Sequence, residues 1–196
     1  MSLTTVIDDT AASIRGLPWN AVINNLASAA PDILLAVYAF SYLASVYCLV
    51  TAFRRAAEQA KGASQGNSSM AWMWNLVFSA LFMALPTVIA SVSISIFGQD
   101  QWGGVDNPFS YMGTIKNKTS PLGALLPLLQ IIGVITFIRG LFVIRAVSIY
   151  GSNGRGNASA GKGTAFLIAG VLLVNMKALL GFISWATGMQ IGAGLF

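Results

Sequence analysis

The chain has 196 residues, of which 56% are hydrophobic and only 9% charged. Globular domains average about 25% charged residues, so the balance excludes a soluble domain and leaves one compact membrane unit. The net charge of +5 is spread over short connectors with no clustered basic patch, so it reads as membrane topology and excludes nucleic-acid binding.

The first 30 residues read as an amphipathic arm. Trp19, Val22, Ile23 and Leu26 fall at i, i+3, i+4 and i+7, the stripe of a helix lying in a membrane interface with Trp19 as an aromatic anchor. Ala27-Ser28-Ala29 looks like a signal-peptidase site. The residues before it lack a basic n-region, however, and Asn20, Asn24 and Asn25 interrupt any apolar core, so a retained arm is expected. Pro31 and Asp32 suit the first turn of the following helix, where a missing N–H is harmless and a negative charge complements the dipole.

Four apolar stretches then approach the ~20 residues that a bilayer demands. They cover about 33–53, 70–98, 122–145 and 164–186, and the second should bend at Pro86. The connector 54–69 carries Arg54, Arg55 and Lys61 against Glu58. Connector 145–163 carries Arg145, Arg155 and Lys162 with no acid. The outer loop 98–121 balances Asp100 and Asp106 against Lys116 and Lys118, and it holds Trp102, Phe109 and Tyr111 in a turn-rich run that suits an ordered cap at headgroup depth. The positive-inside rule places the two basic connectors in the cytoplasm and both termini in the periplasm. The expected fold is therefore all-α and integral to the membrane: four transmembrane helices arranged as two hairpins, preceded by the interfacial helix.

Charges inside spans are costly and mark interfaces, lumens or partners. Arg139 should lie about 9 Å above Arg145, within snorkelling reach of headgroups. Lys177, counted from Thr164 along a straight helix, should sit about 20 Å into a core about 30 Å thick. Lipid, a lumen, another subunit, or Asp32 at the outer end of the first span would have to neutralise it. Lys177, Arg139, Arg145 and Asp32 are thus the candidate contacts to lipid, lumen or subunit. Small residues supply a second set of candidates. Gly188 and Gly192 have small-xxx-small spacing, and Gly140 and Gly170 interrupt apolar runs, as residues at close helix contacts do.

Little in the chain points to catalysis. There is no histidine, the commonest general base and metal ligand. No pair of carboxylates falls within a span, and the single cysteine, Cys48, lies in an apolar run as a small buried or lipid-facing residue would. The stretch Gly156–Gly163 nearly spells a phosphate-binding loop, but Gly163 stands where the motif needs Ser or Thr, and no strand precedes it. No catalytic residue, cofactor or metal is expected.

The segment 129–144 contains Phe137-x-Arg139-Gly140. After a short polar loop, 161–175 opens with Gly161-Lys162-Gly163 and continues through Gly170 to Asn175. In the order and spacing of these elements the chain resembles the IcmC/DotE family of type IVB secretion systems and its conjugation counterpart, TraQ. The match covers about 122–183 in motifs and 37–111 only in hydropathy and loop placement, and Lys177 falls outside the pattern. The resemblance implies an inner-membrane, non-enzymatic subunit of a bacterial apparatus that moves protein or DNA–protein substrates. Its expected partners are membrane phospholipid, copies of itself and other secretion-system subunits. A small, glycine-rich, multi-span subunit with almost no soluble part is suited to repeat into a channel or a pilus-like polymer, in which case it would also leave the cell. The alternatives are a small solute or ion transporter using Lys177 and Arg139, and a holin-like pore former.

Overall fold

The structure, a computed structural model, describes residues 19–61, 70–98, 121–151 and 159–188. They form six helices in chain order: α1 (Trp19–Ala60), α2 (Ala71–Met83), α3 (Leu85–Phe97), α4 (Pro121–Tyr150), α5 (Ala160–Val174) and α6 (Met176–Thr187). Among the described residues the protein is all-helical, and α1 and α4 are long and apolar enough to cross a membrane. The pairs α2–α3 and α5–α6 would each add a span if taken as one broken helix, so the described residues hold two to four candidate spans. The outer loop with Trp102, Phe109 and Tyr111, most of the connector containing Arg155, and Gly192 lie outside the described residues.

α1 departs from the expected arm-then-span division. It runs unbroken through Pro31 for 42 residues, about 63 Å at the α-helical rise. Pro31 is therefore interior to the helix, where it withholds one backbone donor without ending the element. Pro31 and Asp32 are both exposed. Val22 and Leu26, from the stripe expected to lie in the interface, are each nearly half exposed on the same continuous helix. From Ser41 onward the inward face of α1 is made of small residues: Ser41, Ala44, Ser45, Cys48 and Ala52 are all buried. Their three- and four-residue spacing forms one stripe, and it lets α2 approach closely.

The bend expected near Pro86 is a sharp one. α2 and α3 meet at 83° around Ala84. Pro86 lacks the donor that would reach back to Phe82, and its ring disfavours helical geometry at Leu85, so the chain breaks just ahead of it. α3 then buries Leu85, Ile89, Ser93 and Phe97, a single i, i+4 row aimed at the core. There Phe82 and Phe142 stack with ring centroids 4.7 Å apart, among Val134, Phe137, Leu141, Val171 and Val174.

Sequence inspection missed the second break. α5 and α6 meet at 84° around Asn175, within what reads as one apolar run. Asn175 is 1% exposed. Its side-chain Nδ2 donates to Val171 O at 2.8 Å, the carbonyl that also accepts its backbone N–H at 3.0 Å, and to Ser93 Oγ on α3 at 2.6 Å. A side chain that competes for helix carbonyls favours a terminus over a helix interior, and the bond to α3 holds the corner in place. At the other end of α5, Ser159 Oγ accepts the Lys162 N–H at 3.2 Å and caps the helix.

The closest helix pairs are α4 with α5 and α1 with α2, and α1 packs on α4 to join the two hairpins. α4 continues to Tyr150 and ends at Gly151 with φ +77°. The expected connector starting at Arg145 therefore starts at least five residues later, and Arg145 belongs to the helix bundle.

Candidate lipid and subunit contact sites

The α4–α5 hairpin is held by facing glycines. A Cβ placed on Gly133 would meet Val174 N at 2.7 Å and Gly170 O at 2.8 Å. One on Gly170 would meet Gly133 O and Phe137 N, each at 2.8 Å. One helical heptad further along, a Cβ on Gly140 would meet Leu167 N at 3.0 Å and Gly163 O at 3.1 Å. Backbone touches backbone along this seam, the arrangement that small residues permit in membranes. Gly140 and Gly170, picked out in the sequence, are both in it, as are Gly133 and Gly163. Gly188 serves differently: it ends α6 with φ +66°, and a Cβ there would meet nothing within 4 Å. It is a left-handed helix terminus, and Gly192, its expected small-xxx-small counterpart, lies outside the described residues.

The glycine seam brings together the two sequence elements Phe137-x-Arg139-Gly140 and Gly161-Lys162-Gly163. Beside it, Arg139 is exposed and its guanidinium lies 4.9 Å from the centroid of the Phe166 ring. Such stacking over an aromatic face stabilises a cation by about 0.5–1 kcal/mol at exposed sites. It leaves the guanidinium nitrogens available to an outside acceptor.

Arg145 is placed quite otherwise. Half-buried where α1, α2 and α4 meet, it donates through Nε (3.0 Å) and Nη2 (2.8 Å) to Asn75 Oδ1. Asn75 is 0% exposed and is itself fixed by Nδ2 donating to Ala71 O at 2.9 Å. The Arg145 guanidinium also lies 5.7 Å from the Tyr47 ring centroid. Neighbouring Arg55 donates through Nη2 to Tyr150 Oη at 3.3 Å and sits 5.8 Å from the same ring, while its Nη1 is buried without a hydrogen bond. The acids among the described residues are Asp32 and Glu58, both exposed; neither arginine bonds to a carboxylate there. Both guanidinium charges are thus held by aromatic rings and neutral acceptors.

Lys177 is half-buried and is the second residue of α6. The straight-helix depth expected for it does not apply, because the chain turns through 84° at Asn175. Lys177 lies just past the corner, about 15 Å along α5 from Thr164. Asp32, on α1, is exposed. An open apolar groove of about 280 Å³ lies between α1 and α4, lined by Ile33, Ala36, Val37, Phe40, Ile135 and Ile138. Among the described residues no three His, Cys, Asp or Glu side chains gather as a metal site would require.

Comparison of the chain with protein-family models, with curated proteins and with solved structures found no match in any of the three.

Arg139 and Lys177, the charges expected within spans, have neutral counterparts in the helix bundle. Asn75, Ser45, Ser79, Ser93 and Asn175 are all buried polar residues in apolar runs. The signal that finds them is the same one that finds the charges, a polar side chain where hydrocarbon is expected.

Proposed function

We propose that the chain is a non-enzymatic structural subunit of a bacterial type IVB secretion or conjugative transfer apparatus, anchored in the inner membrane and assembling in several copies into a channel or pilus-like polymer. The observation that carries this reading is the glycine seam. It brings six residues of the family-like pattern together in one hairpin: Gly140 against Gly163, Gly170 against Phe137, Arg139 on Phe166 beside the seam, and Asn175 at the corner that closes it. Outside that hairpin α1 presents Leu35, Phe40, Leu43, Val46, Val50 and Phe53 as an exposed apolar surface. Lipid and neighbouring copies are the partners such a surface fits.

In this reading the basic connectors face the cytoplasm, and Arg139, Arg145 and Lys177 meet phospholipid or adjoining subunits. The test is to extract the assembly in mild detergent, image it and count copies. A ring or helical lattice of many identical chains supports the proposal; a monodisperse monomer that binds no other membrane subunit refutes it.

A second reading, a small solute or ion transporter, is favoured by one observation. Two helices are broken at right angles and joined by the Asn175–Ser93 bond, and discontinuous helices are where transporters build their sites. Flux into liposomes containing this chain alone would select it over the structural role.

A further inference from the structure

The seam between α1 and α4 joins an apolar groove to a pair of guanidinium groups. The apolar groove is bounded by Phe40 on α1 and Ile138 on α4. Seven residues further along each helix stand Tyr47 and Arg145, the aromatic ring and the guanidinium that stack on each other. Seven residues are two helical turns, so Phe40 and Tyr47 share one face of α1, and Ile138 and Arg145 share one face of α4. The groove and the Arg145 cluster therefore lie on one continuous seam, about 10 Å apart along the helix axes. Beyond Arg145, Arg55 and Tyr150 close the same seam.

The two ends have the chemistry of the two ends of a phospholipid. The groove is apolar and open to the side. At the other end stand two guanidinium groups without a carboxylate partner among the described residues. Arg145 donates through Nε and Nη2 to Asn75, and among the described residues the buried Nη1 of Arg55 has no hydrogen-bond partner. Planar guanidinium forks match phosphate oxygens. Tyr47, Trp74 and Tyr150 are each more than 40% exposed around this end, as aromatic residues at headgroup depth are. Asn75, fully buried and bonded to its own helix, fixes the direction of Arg145 before any ligand arrives.

We infer that the α1–α4 seam binds one anionic phospholipid, its acyl chain in the groove of Ile33, Phe40 and Ile138 and its phosphate at Arg145 and Arg55. The inference rests on the membrane reading above and specifies one of its lipid contacts. Binding here would cover exposed apolar surface on α1 and compensate both arginines at once.

The test uses the full chain in mild detergent, incubated with phosphatidylglycerol or phosphatidylcholine, with retained lipid counted by native mass spectrometry. One phosphatidylglycerol should be retained per chain, in preference to phosphatidylcholine. Arg145→Gln and, separately, Arg55→Gln should each lower phosphatidylglycerol retention about tenfold, the loss expected for a charge-assisted hydrogen bond. The second variant covers the case in which the first fails to fold, since Arg55 bonds only the partly exposed Tyr150. Ala36→Phe, which fills the groove, should lower retention of both lipids alike. Arg54→Gln, an exposed neighbour outside the seam, should change neither.

Retention unchanged in Arg55→Gln and Ala36→Phe would overturn the site, as would an equal loss in Arg54→Gln, which would mark diffuse charge attraction. Displacement of the lipid by millimolar inorganic phosphate would reassign the arginines to a soluble anion. Flotation of the wild-type chain with neutral vesicles serves as the separate check: failure to float defeats the membrane reading itself, whereas flotation without selective retention defeats only this site.

Discussion

The two hairpins solve the same packing problem with different chemistry. In α4–α5 the backbones touch through four glycines, and Gly133, Gly140, Gly163 and Gly170 leave no space for a methyl group. In α1–α2 the approach is set by small polar side chains instead. Ser45 Oγ donates to Ser79 O at 2.8 Å and Ser79 Oγ to Ser45 O at 3.0 Å, a reciprocal pair, with Asn75 bonded to Arg145 nearer the basic end. Under the proposed membrane location the solvent offers no hydrophobic drive between helices, so contact area and hydrogen bonds must supply the association. The first hairpin relies on hydrogen bonds, the second on van der Waals contact. They should therefore fail under different substitutions.

The largest effect is expected in the glycine seam. Gly170→Leu puts a branched side chain where even a Cβ meets Gly133 O and Phe137 N at 2.8 Å. Backbone cannot yield as a side-chain tip can, so the hairpin must separate, at a cost of about 3 kcal/mol or more. Unfolding in graded denaturing detergent, followed by far-UV circular dichroism, measures it. A loss below about 1 kcal/mol would mean the seam is looser than the geometry requires.

The next effect belongs to the polar hairpin and its junction with α4. Asn75→Leu removes the acceptor of two Arg145 donors and leaves a half-buried guanidinium with only Tyr47 beside it. The expected loss is about 2–3 kcal/mol in the same unfolding assay. Changing both partners, Asn75→Leu with Arg145→Met, should recover most of that loss, because no buried charge is then left unpaired. If the double variant is as unstable as the single one, the Asn75–Arg145 pair is not what holds the junction.

This contrast also explains what could be read from residues alone. Apolar length and loop charge marked α1, α4 and the two broken pairs, and Pro86 marked the first break because a missing donor is a local property. Gly140 and Gly170 stood out as small residues, but their facing partners Gly133 and Gly163 could be chosen only once the hairpin register was known. Arg145 reads as a connector residue because a charge normally ends an apolar run. Its acceptor, Asn75, is 70 residues away in sequence, and nothing local ties the two together. The corner at Asn175 was hidden for the same reason, since its anchor, Ser93, belongs to another helix. Local rules reach termini and turns; they do not reach bonds that tertiary packing creates.

A smaller effect should follow from the serine pair. Ser45→Ala removes the bond to Ser79 O and the 3.1 Å contact between the two hydroxyls, and leaves Ser79 Oγ with Ser45 O as its acceptor. Interhelical hydrogen bonds in membranes average about 0.6 kcal/mol because the alternative states also find partners. A loss of that size from Ser45→Ala, against several times more from Gly170→Leu, would confirm that the two hairpins rank as the comparison requires. A loss from Ser45→Ala as large as that from Asn75→Leu would reverse it.

The smallest effect separates two glycines within one motif. In Gly161-Lys162-Gly163, a Cβ on Gly163 would press on Ile144 Cγ1 at 2.5 Å, while one on Gly161 would meet nothing within 4 Å. Gly161 lies in the first turn of α5, just after the Ser159 cap, with no positive φ to preserve. Gly161→Ala should therefore leave stability unchanged or raise it by up to about 1 kcal/mol, through the lower entropy of the unfolded chain. Gly163→Ala should lower it, by an amount limited by how far the Ile144 side chain can turn aside. If a packed hairpin is what the motif encodes, only its second glycine is sensitive. Equal sensitivity at Gly161 would instead mean that this exposed position answers to something outside the chain.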